Sequence, residues 1–363
     1  MLFGKKNENI IIQPFILMIR TSLLNNWIKK LASYNKDLSR KLFNLGVVVG
    51  SGLIIYFIYF FLRNLGLLFE KSEQAAGFVL LLPGLTISLN TLPYILVAVV
   101  VALITHELAH GIACSIDGIP IKSTGVLLAV IMPGAFVEID ENRLKKAKLM
   151  TKLRVFAAGA YTNMIAWAIV TLLLTNFALT ISPFYNSNSS GVIITDLVEN
   201  GAAEKAGLKE WDAIYSLNGS NIEGINSLSD YMADIAPNTL LIANTSSGIF
   251  KIKTQPHTQN SSRAAIGVYP FDNYEPNFNW LSRSLPYHLL LTEMWASIIF
   301  FFLALINMSP IYPLDGGKFL NSIFEKYLPR YSKLIMISLS IFSFVIIAAN
   351  FVISTLIFGF IRV

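Results

Sequence analysis

The sequence has few charges, four histidines and a single cysteine. Only 14% of its 363 residues are charged, 54% are hydrophobic, and its mean hydropathy is +0.58. This composition excludes an ordinary soluble globular protein and indicates a chain that crosses a membrane several times. The lone cysteine, Cys114, excludes an internal disulfide. Because the net charge of +6 comes from basic residues in separate short loops, no nucleic-acid partner is predicted.

Long uncharged runs predict five membrane spans in a polytopic α-helical membrane protein. The run between Lys41 and Arg63, for example, holds 21 residues without a charge, which is enough for one span. Two shorter apolar segments contain Pro-Gly. Residues 78–88 are too short to span and are predicted to be re-entrant or strand-like. Residues 125–138 are predicted to form a β-hairpin that reaches toward the candidate site at the end of the second span, with a buried core loop as the alternative. The predicted spans are residues 42–62, 92–110, 155–182, 286–308 and 334–360.

Charge and composition divide the chain into four predicted parts. Residues 1–41 hold eight basic and two acidic residues and are predicted to be an amphipathic arm on the membrane surface; a short span over residues 10–28 is the alternative. Residues 42–182 and 285–363 form the two membrane parts. Residues 183–284 are polar and predict an inserted soluble domain. The basic arm and the basic loops at 143–154 and 318–333 predict a cytoplasmic side, so the soluble domain is expected to be extracytoplasmic.

An H-E-x-x-H sequence ends the second span. His106 and His110 are four residues apart and therefore share one face of a helix, where both can ligate one metal ion beside Glu107. No charged residue occurs between Gln74 and Thr105, so this site is predicted to lie within the membrane, nearer its cytoplasmic face. Ionisable residues at such a depth are costly and usually functional.

A catalytic zinc needs a third protein ligand and an open position for water. Asp315 follows the fourth span directly, and a chain that turns back there returns it to the depth of the two histidines. Glu107 is the predicted general base for peptide hydrolysis. Asn307 and Asn163 lie near the cytoplasmic ends of spans four and three and are predicted oxyanion donors. The alternative for both amides is an interhelical hydrogen bond.

These motifs resemble those of the site-2 proteases, a family of intramembrane zinc metalloproteases. The resemblance rests on H-E-L-A-H-G at 106–111, P-G-A-F-V-E at 133–138, L-R-V-F-A-A-G-A-Y-T-N at 153–163, and N-x-x-P-x-x-x-x-D-G at 307–316. It covers roughly residues 75–180 and 286–320. It implies His106, His110 and Asp315 as zinc ligands and Glu107 as the catalytic base, in agreement with the prediction from span depth.

The inserted segment resembles a PDZ domain, an α+β fold. The similar stretches are G-V-I-I-T-D-L-V at 191–198, G-A-A-E-K-A-G-L at 201–208 and D-A-I-Y-S-L-N-G at 212–219. Trp211 stands where PDZ domains usually have glycine, which leaves ordinary C-terminal peptide binding open. The favoured role is a filter that keeps bulky substrates from the membrane site, with peptide contact or a purely structural role as alternatives.

The function predicted from the sequence is therefore zinc metalloendopeptidase activity on transmembrane segments of membrane proteins, as in regulated intramembrane proteolysis. The expected cofactor is Zn²⁺, and the expected partners are the lipid bilayer and transmembrane protein substrates. Two other functions remain: a membrane transporter or proton relay, since ionisable groups lie within a helix bundle, and an inactive PDZ scaffold. Internal symmetry, which transport folds usually show, is not evident in the sequence.

Overall fold

The computed structural model describes residues 10–13, 16–79, 82, 84–129, 132–258 and 260–359. The chain divides into two compact units, residues 1–171 with 294–363, and residues 172–293. The first part of the chain contains β1 (Ile10–Gln13), β2 (Ile16–Thr21), α1 (Leu23–Tyr34), α2 (Lys36–Phe69), α3 (Leu92–Ile116), β3 (Ile121–Ala129), β4 (Met132–Ile139), α4 (Glu141–Lys146) and α5 (Leu149–Thr175).

The polar middle of the chain is built from short elements. The secondary structure there is α6 (Phe177–Ile181), β5 (Val192–Leu197), α7 (Ala202–Lys205), β6 (Ala213–Leu217), β7 (Ser220–Asn221), α8 (Ile225–Ala233), β8 (Leu240–Thr245), β9 (Gly248–Lys253), β10 (Gln255–Pro256), β11 (Ala264–Ala265) and β12 (Val268–Asp272). Six of the strands form an antiparallel sheet in the order β12-β5-β6-β8-β9 with β7 paired to β6, and β10 pairs with β11 in a separate two-stranded sheet. Its core is aliphatic and includes Ile214, Leu241 and Ile252, all fully buried. The segment is thus an α+β unit, and its resemblance to a PDZ domain stays a prediction.

Three helices complete the chain: α9 (Leu285–Asn307), α10 (Asp315–Tyr327) and α11 (Ser332–Phe358). Within the described residues, five helices are long and apolar enough to cross a membrane, namely α2, α3, α5, α9 and α11. They correspond to the five predicted spans. One core cluster, shared by α2, α5, α9, α10 and α11, is aromatic and aliphatic and includes Phe57, Phe61, Ala157, Leu305 and Phe319. The polytopic fold predicted from hydropathy is confirmed.

The helix boundaries differ from the hydropathy limits because local turns set them. The helix predicted over 155–182 begins at Leu149 and ends at Thr175, where Asn176 interrupts it before α6. α2 has 34 residues, or roughly 51 Å at 1.5 Å per residue, and so exceeds the span predicted over 42–62. Uncharged length locates a span but not its ends.

The N-terminal arm differs most from expectation. Residues 10–13 and 16–21 form two strands instead of a spanning helix, and β2 pairs with β3 in a four-stranded antiparallel sheet of order β1-β2-β3-β4. The placement of the arm on the membrane surface stays a prediction. The only helix in the described part of the arm before α2 is α1, whose 12 residues are too few to cross a membrane. The spanning alternative is therefore wrong. Isoleucine-rich segments have high strand propensity, and the partner strand, distant in sequence, decides their conformation.

The two Pro-Gly segments have different outcomes. The predicted hairpin at 125–138 is confirmed, with Gly125 opposite Phe136 and Leu127 opposite Gly134 in β3 and β4. The segment 78–88 is not a strand in its described part. Residues 84–86 form a turn in which Gly84 has a φ of +79°, and Ile87 makes only a single β-bridge; Leu80, Leu81 and Pro83 lie outside the described residues. At the start of the segment, the backbone N–H of Phe78 donates to the Ser354 hydroxyl on α11 at 2.7 Å and not to a neighbouring strand.

Candidate metal centre

Three predicted ligands converge in the first unit. Nε2 of His106 lies 3.2 Å from Oδ2 of Asp315, and Nε2 of His110 lies 3.0 Å from the same oxygen. Among the described residues they are the one group of three His, Cys, Asp or Glu side chains able to hold a metal ion, with their ligand atoms all within 4.8 Å of one another. The structure therefore brings together residues from α3 and α10 that are more than 200 positions apart in the sequence.

The spacing and the donor types fit zinc. Two imidazole nitrogens and one carboxylate oxygen are a usual catalytic zinc set, with one position left for water. In a tetrahedron with ligand bonds of about 2.0 Å, neighbouring ligand atoms are roughly 3.3 Å apart. The two measured distances to Asp315 are within a few tenths of an ångström of that edge.

The helix α3 supplies both histidines because their spacing places them on one face. Their ring centroids are 4.8 Å apart. His106 is 4% exposed, which removes it from bulk water. The second nitrogen of each ring also has a partner: Nδ1 of His110 lies 2.7 Å from the Val155 carbonyl oxygen, and Nδ1 of His106 lies 3.2 Å from the Asn163 amide. Partners of this kind fix the tautomer and orientation of a ligating imidazole.

Asp315 begins α10, and two glycines bring that helix close to the preceding loop. A Cβ atom at Gly316 would lie 2.2 Å from the Met308 carbonyl oxygen, and one at Gly317 would lie 2.4 Å from the Ile311 carbonyl oxygen. Only glycine tolerates such an approach to backbone. The Asp-Gly-Gly sequence thus places the carboxylate by letting α10 turn back against the end of α9.

Glu107 directly follows His106 on α3 and lies between the two histidines in sequence. Its Oε2 accepts the backbone N–H of Val137 at 3.2 Å. Val137 belongs to β4, the edge strand of the four-stranded sheet. The hairpin therefore reaches the site, as predicted, and holds the carboxylate from outside the helix.

The two predicted amides have different surroundings. Asn163 is fully buried, and its amide contacts His106 and Thr105, so it makes the interhelical hydrogen bond that was the alternative to an oxyanion role. Asn307 is the last residue of α9, one position before Met308. Its role as an oxyanion donor stays a prediction.

Gly159 is a site residue whose role the sequence did not reveal. A Cβ atom there would lie 2.5 Å from Nε2 and Cε1 of the His106 ring. The available signal was its position inside α5, since glycine in a helix interior costs about 1 kcal/mol relative to alanine and so suggests a close approach. The glycine lets α5 pack directly against the imidazole.

A cluster of two histidines, an aspartate and an adjacent glutamate, among helices long enough to cross a membrane, is the arrangement expected of a membrane-bound metalloprotease. Comparison with protein families matches residues 94–349 to peptidase family M50, the site-2 protease family. The chain belongs to this family.

Two curated proteins illustrate the similarity. An uncharacterised protein of Methanocaldococcus jannaschii is 27% identical over 327 residues, which cover 88% of this chain and 80% of that protein. A membrane-bound transcription factor site-2 protease homologue of Arabidopsis thaliana is 28% identical over 182 residues. That alignment covers 50% of this chain and 35% of the plant protein, so it relates only part of each.

Proposed function

We propose that this protein is a zinc-dependent intramembrane protease that hydrolyses peptide bonds within or near transmembrane segments of other membrane proteins. The observation that carries the proposal is the convergence of His106, His110 and Asp315 beside Glu107, on helices long enough to cross a membrane. These three residues are the proposed zinc ligands. Bound zinc supplies Lewis acidity toward the attacking water and the scissile carbonyl.

Glu107 acts as the general base and then as the general acid. Its Oε2 is held by the Val137 N–H, which leaves Oε1 to take a proton from water and pass it to the leaving amine. The hydrogen bond restricts rotation of the carboxylate. Asn163 orients the His106 ring from behind. The amide of an asparagine can present either its oxygen or its nitrogen, and its oxygen would accept an Nδ1 proton when His106 ligates through Nε2.

Asn307 is the proposed oxyanion donor. It ends α9 directly before Met308, whose carbonyl packs against Gly316 next to Asp315. An amide at this position is on the chain segment that delivers the third ligand. Donation to the carbonyl oxygen as charge develops there is worth roughly 10²–10³ in rate at comparable sites.

β4 is the proposed binding edge for the substrate. A peptide bond in a transmembrane helix is shielded by the helix's own hydrogen bonds, so the substrate must be extended before attack. The Val137 N–H points to Glu107 and not to the neighbouring strand β3. Because backbone N–H groups alternate in direction along an antiparallel strand, the N–H of Ala135, two residues away, points to the same outer edge of β4. Pairing there would hold an extended segment within reach of Glu107.

The remaining partners and the orientation are also proposals. The five apolar helices make the protein an integral membrane protein. The basic loops favour a site toward the cytoplasmic side and a PDZ-like unit outside, where it acts as a substrate filter or contacts peptide. We also propose that the cleavage is a step of regulated intramembrane proteolysis, in which cutting the substrate starts a response; which response depends on the substrate.

The test compares wild-type protein with Glu107→Gln, purified in detergent, for cleavage of a transmembrane substrate and for zinc per chain. We expect Glu107→Gln to lose at least about 100-fold in cleavage rate, as is typical for a missing general base, and to keep its zinc. Glu141→Gln, in the first turn of α4, is the matched control. A wild type that binds zinc and cleaves nothing would favour the transporter or the scaffold.

A further inference from the structure

The ring nitrogen of His110 that does not face Asp315, Nδ1, makes a hydrogen bond to the backbone of α5. Its Nδ1 lies 2.7 Å from the carbonyl oxygen of Val155, a residue of α5 that is 1% exposed. The direction of the His110 ring therefore depends on where α5 places this carbonyl relative to α3. A carbonyl in a helix interior cannot turn by itself, so the register between the two helices sets the position of the ring.

The neighbour of Val155 fixes that register. Arg154 is 9% exposed, and its Nε and Nη2 donate to Oδ2 of Asp117 at 3.1 and 2.5 Å. Its Nη1 donates to Oδ1 of Asn44 on α2 at 2.9 Å. Two nitrogens of the planar guanidinium thus donate to the same carboxylate oxygen while the third bonds to α2, an arrangement that the single ammonium of lysine cannot reproduce. The other carboxylate oxygen of Asp117, Oδ1, accepts a hydrogen bond from Nη2 of Arg40 at 3.3 Å.

Asp117 directly follows α3, two helical turns beyond His110. Two neighbouring contacts therefore join α3 and α5. One is the Arg154–Asp117 ion pair, and the other is the hydrogen bond between His110 Nδ1 and the Val155 carbonyl oxygen. Loss of Asp117 would leave the buried Arg154 guanidinium without a carboxylate, which is costly, whereas loss of Arg154 would leave Asp117 paired with Arg40 alone.

We infer that Arg154 and Asp117 are positioning residues for the metal centre, which set the Val155 carbonyl so that His110 presents Nε2 to the metal. The inference rests on the proposed function, because the metal concerned is that of the protease. Neither side chain is expected to contact substrate. Mutation of a group that hydrogen-bonds to a metal-ligating histidine usually weakens metal binding by roughly 10–100-fold. Here that group is a backbone carbonyl, and its position depends on a buried ion pair.

The test measures binding of Co²⁺, a spectroscopic stand-in for zinc, to the full-length protein in detergent without any substrate. Arg154→Lys keeps the positive charge but cannot make the two hydrogen bonds that Nε and Nη2 of Arg154 donate to Asp117 Oδ2. We expect it to weaken Co²⁺ binding by roughly 10–100-fold and to alter the visible absorption of the bound ion. Lys152→Gln is the matched control, since it removes a charge from the same helix two positions away and is expected to bind Co²⁺ as the wild type does.

A second comparison separates positioning from a general effect on the fold. In a His110→Ala background, Arg154→Lys should change Co²⁺ affinity by less than about twofold, because the ring it positions is gone. Asp117→Asn is measured by the same criteria where Arg154→Lys does not fold. The inference would be overturned if both variants bound Co²⁺ with wild-type affinity, or if both failed to fold. It would also be overturned if Arg154→Lys weakened Co²⁺ binding as strongly in the His110→Ala background as in the wild type. Wild-type Co²⁺ binding without any proteolysis would instead contradict the proposed function and leave this inference standing.

Discussion

Gly159 and His106 lie on different helices, yet a Cβ atom at position 159 would come within 2.5 Å of the His106 Nε2 atom. That nitrogen is also the one that faces Asp315 at 3.2 Å. Contact with the helix α5 therefore limits where the first ligand can lie. The ring is closed in by α5 on one side and directed toward the cluster on the other.

Gly159→Ala should displace the His106 ring and impair the site. An added methyl group has no room there, and misplacement of a catalytic group by about 1 Å can cost roughly 100-fold in rate. We expect cleavage to fall by about that factor, with a loss of stability of about 1–3 kcal/mol from overpacking. Zinc content, cleavage rate and thermal unfolding measure the effect. Gly52→Ala, where nothing lies within 4 Å of the added atom, is the control; equal behaviour of the two variants would show that the contact has no role.

Asp315→Asn should remove the metal with little change in shape. The amide has the volume of the carboxylate but lacks its charge, and two histidines are a poor set for catalytic zinc. We expect zinc binding to weaken by more than the roughly 10–100-fold seen for outer-shell partners, and cleavage to be lost. Asp140→Asn, which changes the N-cap of α4, should keep its metal. One zinc per chain and full activity in Asp315→Asn would exclude Asp315 as a ligand.

Ala135→Pro should reduce cleavage and leave the metal in place. Proline lacks the N–H that β4 offers at its open edge, yet it is tolerated in edge strands. If substrate pairs there, the loss of one backbone hydrogen bond should lower the cleavage rate several-fold, since such a bond contributes about 0.5–1.5 kcal/mol. Ala135→Gly keeps the N–H and serves as the comparison. An unchanged rate in the proline variant would place the substrate elsewhere.

Acid should weaken the contribution of Asp117 to stability. Burial acts to raise the pKa of this carboxyl, but hydrogen bonds from Arg154 and Thr151 outweigh it and hold the pKa below its ordinary value of 3.8. Since folding favours the charged form, the stabilisation is complete above about pH 4 and is lost as the pH falls through the lowered pKa. Asp117→Asn should therefore unfold at a lower temperature than wild type at pH 7, and the gap should narrow below about pH 4.

Thermal unfolding in detergent across that pH range tests this sign. Asp37→Asn is a suitable comparison, because the Asp37 side chain is 90% exposed. Its difference from wild type should be small throughout the range. A gap that widens in acid for Asp117→Asn would contradict the expected direction.

The orientation can be tested by cysteine labelling. Cys114 is fully buried, so it should give little background signal. A membrane-impermeant maleimide applied to intact cells should label Ser262→Cys in the polar unit and leave Lys145→Cys, at an exposed position in α4, unlabelled. The reverse pattern would invert the predicted topology.

The sequence by itself determined the features that depend on local patterns. Uncharged length gave five spans, because the hydrocarbon core requires about 20 apolar residues per helix. The spacing of His106 and His110 placed two imidazoles on one helix face. Asp315 was found from its position after a span, and the structure brings it to the histidines.

Tertiary structure alone decided the contacts between distant segments. Residues 16–21 form a strand because β3 lies beside them, and no local periodicity encodes that pairing. The Val155 carbonyl, the Val137 N–H and the space beside Gly159 each act through backbone position, which no side-chain motif reveals. Side-chain types mark where metal chemistry can occur, whereas the packing of helix and hairpin backbones determines how those side chains are held.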